Sequence, residues 1–480
     1  MQFTSLTYVF VFLPFVIAGW IALRRTPFAN AFIAAASLYF YASSALWYLG
    51  PLFATALLDY VVGQKVHATN DERRRKTLTA ASIVANLGLL GYFKYAPWLT
   101  SKASVVLAHY GLSIPVVAVG LPPAISFYTF QSMSYTIDIC RREFKPYRSV
   151  VDYLSFVTFF PHLVAGPIMR ARDLLPQLAK DRSLPSADQV GSALFLILFG
   201  LFQKLVVADN AALLVDAVSK AASPGGQGVA PGMGLIFAYA FAVQIYCDFA
   251  GYSSIARGSA RLLNVELMRN FATPYFATGP SDFWGRWHIS LSTWLRDYLY
   301  IPLGGNRGGA WSTYRNLMLT MVLGGLWHGA GTMFLVWGFW HGCLLVLYRV
   351  FPLDRFLSRA GRWGKVAAQI LFFHLVCVGW IFFRTTADQV GPIFRSILHM
   401  GQLASESALR QAFLGSLWLL VLVWTPMLVM DYVAWRRGGE FTDVFPRLPT
   451  AAKAFLALVL FYAIVFFARR QASEFIYFAF

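Results

Sequence analysis

Leu323-Gly-Gly-Leu-Trp-His-Gly-Ala-Gly-Thr-Met-Phe-Leu-Val-Trp-Gly-Phe-Trp-His-Gly342 is the stretch on which the fold turns. It lies inside an apolar run from Leu317 to Tyr348 that contains two histidines and no Asp, Glu, Lys or Arg. About 20 apolar residues suffice to cross the hydrocarbon core of a bilayer, so a run of this kind belongs in a membrane. The whole chain agrees with it. Of 480 residues only 13% are charged while 58% are hydrophobic, about half the charged fraction of a soluble domain. Roughly ten spans of about 20 residues use some 200 residues and leave ample chain for loops and re-entrant pieces. The expected fold class is therefore an all-α polytopic membrane protein.

A net charge of +18 invites a nucleic-acid reading, but the basic residues sit in short runs between apolar segments rather than on one face. That is the positive-inside pattern of a membrane protein, and no nucleic-acid partner is expected. Cys140, Cys247, Cys343 and Cys377 lie far apart with no C-x-x-C spacing, which suits packing residues better than disulfides or metal ligands. The first apolar run, Leu6 to Leu23, ends at Arg24-Arg25 without a cleavage pattern and reads as a retained span.

Phe28 to Leu49 is the second span, and the Arg24-Arg25-Thr26-Pro27 turn before it is expected on the cytoplasmic side. A shorter segment, Leu52 to Val62, leads back to a basic stretch with Lys65 and Arg73 to Lys76, and Leu78 to Phe93 returns outward. Pro115 to Ile139 reads as a span interrupted by Pro122-Pro123. Tyr153 to Pro167 contains Pro161 and His162 between basic flanks and reads as re-entrant or interfacial rather than a clean span, since irregular backbone at membrane depth must be buried in protein. Further spans are expected at Ser192–Ala208, Gly232–Ala250, Val366–Phe383, Ala412–Met430 and Ala454–Ala468. Ser223 to Pro231 reads as a flexible external loop. No internal repeat or matched pair of broken segments is visible, and residues 1–480 read as one membrane domain.

Two segments carry candidate chemistry. In Ser281 to Tyr298, Trp284, Trp287, Leu291, Trp294 and Tyr298 recur at steps of three and four, which predicts one amphipathic interfacial helix. At 100° per residue His288 falls beside its apolar stripe, pointing into protein or lipid. An interfacial histidine with a single hydrogen-bond partner explains it as well as a functional role does. In the opening stretch, His328 is an ionisable residue inside an apolar run and is a functional candidate on that ground. The alternative is that Gly324, Gly325, Gly329 and Gly331 serve helix packing and His328 bridges two helices. His341 lies thirteen residues on, about 220° around a continuous helix, and reads as structural, as does His374.

A neutral histidine in such a setting suits removal of a proton from a hydroxyl. No G-x-S-x-G elbow, H-E-x-x-H metal signature or Walker loop is present, so transfer of an activated group straight to a hydroxyl remains, with no metal. Asp248 ends a span and is expected to pair with Arg257 or Arg261. Arg296, Asn306 and Arg307, around the glycine-rich loop Pro302 to Gly309, suit the phosphates of an acyl donor and equally suit lipid headgroup anchoring.

Ile125-Ser-Phe-Tyr-Thr-Phe-Gln131, Phe159-Phe-Pro-His-Leu-Val-Ala-Gly-Pro167, Asp248-Phe-Ala-Gly-Tyr-Ser253, Arg286 to Asn306 and Leu326-Trp-His-Gly329 together resemble the membrane-bound O-acyltransferase (MBOAT) family in its bacterial polysaccharide branch. The resemblance implies a ring of about 9–12 transmembrane and re-entrant helices around a central tunnel, with His328 catalytic and His288 its companion. It also implies a bacterial inner-membrane O-acetyltransferase that uses acetyl-CoA or another acyl thioester as donor substrate, with no bound cofactor. The implied acceptor is an extracytoplasmic polysaccharide, alginate-like exopolysaccharide in the first instance, reached directly or through a periplasmic SGNH-type acetyltransferase. Relatives modifying peptidoglycan, cellulose, teichoic acid or lipid share the pattern. A polysaccharide export component is the rival from another class, and the missing repeat symmetry and few midplane charges speak against it.

Overall fold

A computed structural model describes residues 1–179, 183–469 and 475–476. These residues form helices joined by turns and short extended links, with no strand among them. Seven helices among the described residues are long and apolar enough to cross a membrane. The chain is thus an all-α, multi-pass membrane protein. Its contacts divide into two compact units, Met1–Ile197 with Ile255–Met268, and Leu198–Ser254 with Arg269–Phe480.

In the first unit the Leu49–Ala68, Glu72–Leu90 and Ile125–Cys140 helices pack around a buried polar cluster. Asp59 is fully buried there, and the Asn86 amide donates to both its carboxylate oxygens at 3.0 and 2.9 Å. The Ser82 and Thr136 hydroxyls donate to the same carboxyl group, so the buried polar side chain is met by hydrogen bonds. The Glu72–Leu90 helix starts at the basic run because the Asp71 carboxylate accepts from the Arg73 backbone N–H at 2.9 Å, an N-cap.

Two sequence readings change in this unit, and a third gains detail. The segment read as Leu52 to Val62 lies in a longer helical run, Leu46–Ala68, which is long and apolar enough to cross a membrane. The span read as Pro115 to Ile139 is a helix only from Ile125, because Pro122-Pro123 and a left-handed Ala124 (φ 62°) hold the preceding chain out of it. The re-entrant segment is broken into two helices, Val150–Thr158 and Phe160–Leu163, and Phe159 to Pro167 is buried throughout. His162 inside it is held by protein, with Nε2 2.8 Å from the Phe156 carbonyl.

In the second unit the Leu317–Tyr348 run is a hairpin rather than one long helix. The Ala310–His328 helix ends at Gly329, and the Thr332–Val350 helix starts three residues later. The two lie against each other at glycines: a Cβ at Gly325 would sit 2.2 Å from the Phe334 carbonyl oxygen, and one at Gly338 would sit 2.4 Å from the Met321 carbonyl oxygen. Close approach of that kind is how membrane helices gain packing energy without a hydrophobic drive. The Ser407–Arg436 and Thr450–Phe467 helices bury little of their apolar surface and lie at the periphery.

Asp248, on the Met233–Leu262 helix, pairs with Lys204 and with neither expected arginine. Arg257 and Arg261 follow it by nine and thirteen residues on the same helix, about 180° and 220° around, and so face elsewhere. Lys204 Nζ bridges Asp248 Oδ1 at 2.7 Å and Asp209 Oδ1 at 2.8 Å, all three fully buried or nearly so. The Ile476 backbone N–H completes the site by donating to Asp248 Oδ2 at 2.7 Å.

Candidate active site

The residues Ser281 to Tyr298 do not form the single amphipathic helix that their spacing predicts. Pro280–Trp284 and Ile289–Leu295 are separate short helices, followed by a π-helical turn at Arg296–Tyr300. The break falls at His288 itself, which takes the left-handed conformation (φ 42°, ψ 54°) just before the second helix. For a residue with a Cβ that conformation costs about 1–3 kcal/mol and persists only where the surroundings enforce it. The stripe periodicity could not reveal it, since a left-handed residue resets the phase of the helix that follows.

His288 is wholly buried, its ring 4.6 Å from that of Phe249 in an edge-on contact and 5.9 Å from that of Trp327. Its ring centroid lies 6.3 Å from that of His328. Burial pushes the His288 imidazole down to about 3, so it is neutral at physiological pH.

His328 closes its helix at the hairpin, boxed by Trp327 at 5.0 Å, Trp337 at 5.0 Å and Phe383 at 5.2 Å between ring centroids. Unlike His288, it reaches the wall of a cavity of about 440 Å³. The lining is mainly apolar, with Trp284, Gly324 and Trp337 around His328 and with Arg296 and Tyr300 among its polar groups. The glycines around His328 therefore split between both sequence readings. Gly325 serves packing, whereas Gly324 lines the cavity.

Of the residues expected to meet a donor, Arg296 lines this cavity, and its Nε is 2.7 Å from Asp297 Oδ1. Asn306 stands one step back, accepting at 2.7 Å from the hydroxyl of the cavity residue Tyr300. Arg307 sits in the glycine turn, where its backbone N–H donates to Gly304 and Gly304 itself takes a positive φ of 113°. His341 packs between Trp337 at 4.9 Å and Trp284 at 5.2 Å, so Trp337 separates it from His328. Sequence reasoning missed Trp337 and Tyr300 as cavity residues; nothing but their place after the fold distinguishes them from other aromatics. A second cavity, of about 450 Å³, shares Ser281, Leu317 and Leu345 with the first and carries Asp282, Arg349, Asp354 and Arg355.

Residues 141–386 match the model of the membrane-bound O-acyltransferase family. The chain is 37% identical over 440 residues to the probable alginate O-acetylase AlgI of Azotobacter vinelandii, covering 90% of this chain and 85% of that one. The chain belongs to the membrane-bound O-acyltransferase family. A peptidoglycan O-acetyltransferase of Helicobacter pylori is 32% identical over 452 residues, with 84% of this chain and 82% of that one covered. A teichoic acid D-alanyltransferase of Bacillus subtilis is 27% identical over 279 residues, spanning 54% of this chain and 67% of that one. As an MBOAT protein the chain is an acyltransferase that draws on an acyl donor. The export-component reading has no support from these relatives.

Proposed function

We propose that this protein transfers acetyl groups from a thioester donor, acetyl-CoA, at the cytoplasmic face of the bacterial inner membrane to hydroxyls of an extracytoplasmic polysaccharide. The alginate O-acetylase relatives favour an alginate-like polymer. A periplasmic SGNH-type acetyltransferase receives the group where the polymer cannot reach the membrane enzyme itself. The observation that carries this reading is His328, set in the wall of an apolar cavity with a neutral histidine behind it.

His328 takes the proton from the acceptor hydroxyl as its oxygen attacks the thioester carbonyl. The new ester forms, the carbon–sulfur bond breaks, and the leaving thiolate recovers the proton from the imidazolium. His328 ends its helix, where the macrodipole favours a positive charge, so the imidazolium formed on the way is stabilised. The aromatic box around it excludes the water that would otherwise hydrolyse the donor. The apolar cavity suits the uncharged arm of a thioester.

The reading is tested in a bacterium whose polymer loses its O-acetyl groups when this gene is removed. Restoring the wild-type gene should return them, while His328→Ala, present in the membrane at equal amount, should not. Polymer that is acetylated with His328→Ala contradicts the proposal, and polymer that is no longer secreted without the gene points to export instead.

A further inference from the structure

We infer that Asn270 is a positioning residue for His288, acting through Ser290 to hold His288 in its left-handed conformation beside His328. The inference rests on the acyltransferase reading of the two histidines and adds a residue to it. His288 lies between two backbone bonds to one neighbouring segment: the Ala272 N–H donates to the Arg286 carbonyl at 2.9 Å, and the Ile289 N–H donates to the Asn270 carbonyl at 2.9 Å. The chain is thus pinned on both sides of the residue that breaks it.

The Asn270 side chain locks that arrangement. Its Oδ1 accepts from the Ser290 hydroxyl at 2.6 Å and, more weakly, from the Ser290 backbone N–H at 3.4 Å. Its Nδ2 donates to the Ser253 hydroxyl at 3.0 Å, on the Met233–Leu262 helix that also carries Phe249. Phe249 is the ring that meets His288 edge-on, so one helix supplies both the anchor of the clamp and the wall against which the imidazole rests. Asn270, Ser253 and Ser290 are each at most 3% exposed, so these bonds are shielded from bulk solvent. A left-handed residue with a Cβ returns to ordinary backbone once its enforcement is removed. Its ring then leaves its place near His328, and misplacement of a catalytic partner by about 1 Å can lower turnover by about 100-fold.

The test uses the purified full-length protein and measures thioester turnover together with side-chain NMR of labelled histidine. With only eight histidines in the chain, the His288 signal is assigned by its loss in His288→Gln. Asn270→Ala and Ser290→Ala should each lower kcat at least tenfold with the donor KM within about twofold of wild type, and should shift the His288 signal. Ser290→Thr keeps the hydroxyl and should restore most of what Ser290→Ala loses. An unmoved His288 signal with wild-type kcat in Asn270→Ala overturns the inference. So does a loss that falls on KM, or a loss that Ser290→Thr shares in full. If the wild-type protein shows no turnover with any donor, the acyltransferase reading fails, and the NMR shift alone decides whether Asn270 holds His288.

Discussion

His328 and His288 are chemically the same residue and stand 6.3 Å apart, yet only His328 lines the cavity. His288, neutral down to about pH 3, takes no part in any ionisation near neutrality. The pH dependence of kcat/KM between pH 5 and 8 should therefore carry no ionisation of His288, and His288→Gln should lower the rate and leave the shape of that profile unchanged. An ionisation between pH 5 and 8 that disappears in His288→Gln contradicts the assignment. The burial of both histidines was legible in the sequence from their apolar neighbours. The left-handed turn at His288 was not, because Asn270, which enforces it, lies eighteen residues earlier with no periodic signal of its own.

At the scale of the element, the hairpin of Ala310–His328 and Thr332–Val350 sets the height of His328 through Gly325 and Gly338. A leucine at Gly338 must displace backbone, so Gly338→Leu should lower the melting temperature in detergent and abolish turnover together, whereas His328→Ala should abolish turnover alone. The glycine density marked this stretch in the sequence, but which glycines pack and which line the cavity depends on the partner helix. Asp248 illustrates the same limit: its charge was visible, while its partner Lys204 comes from another segment, Phe202–Ala208. Lys204→Met leaves two buried carboxylates without their cation and should cost about 3–5 kcal/mol, read as loss of folded protein on heating. Stability equal to wild type rules out that role for the lysine.

Across the whole molecule, composition alone announced a helical membrane protein, and seven helices able to cross a membrane are present among the described residues. What composition could not give is where the apolar runs break, because Pro122-Pro123, Phe159 and Gly329 to Gly331 interrupt runs that are hydrophobic throughout. The loop charges predict sidedness. Cysteines introduced at Thr26 and Thr69 should resist a membrane-impermeant maleimide in intact cells, and one introduced at Gly226 should react. Labelling at Thr26 without labelling at Gly226 reverses the orientation.

The central claim, that His328 moves an acyl group from a thioester, is met most directly in sealed vesicles holding the purified protein with its cytoplasmic face outward. Acetyl-labelled CoA is added outside, and a candidate acceptor, a partner protein or a polysaccharide, is enclosed within. The account predicts label on the enclosed acceptor with wild-type protein and none above background with His328→Ala. Label that reaches the acceptor equally well with His328→Ala contradicts it.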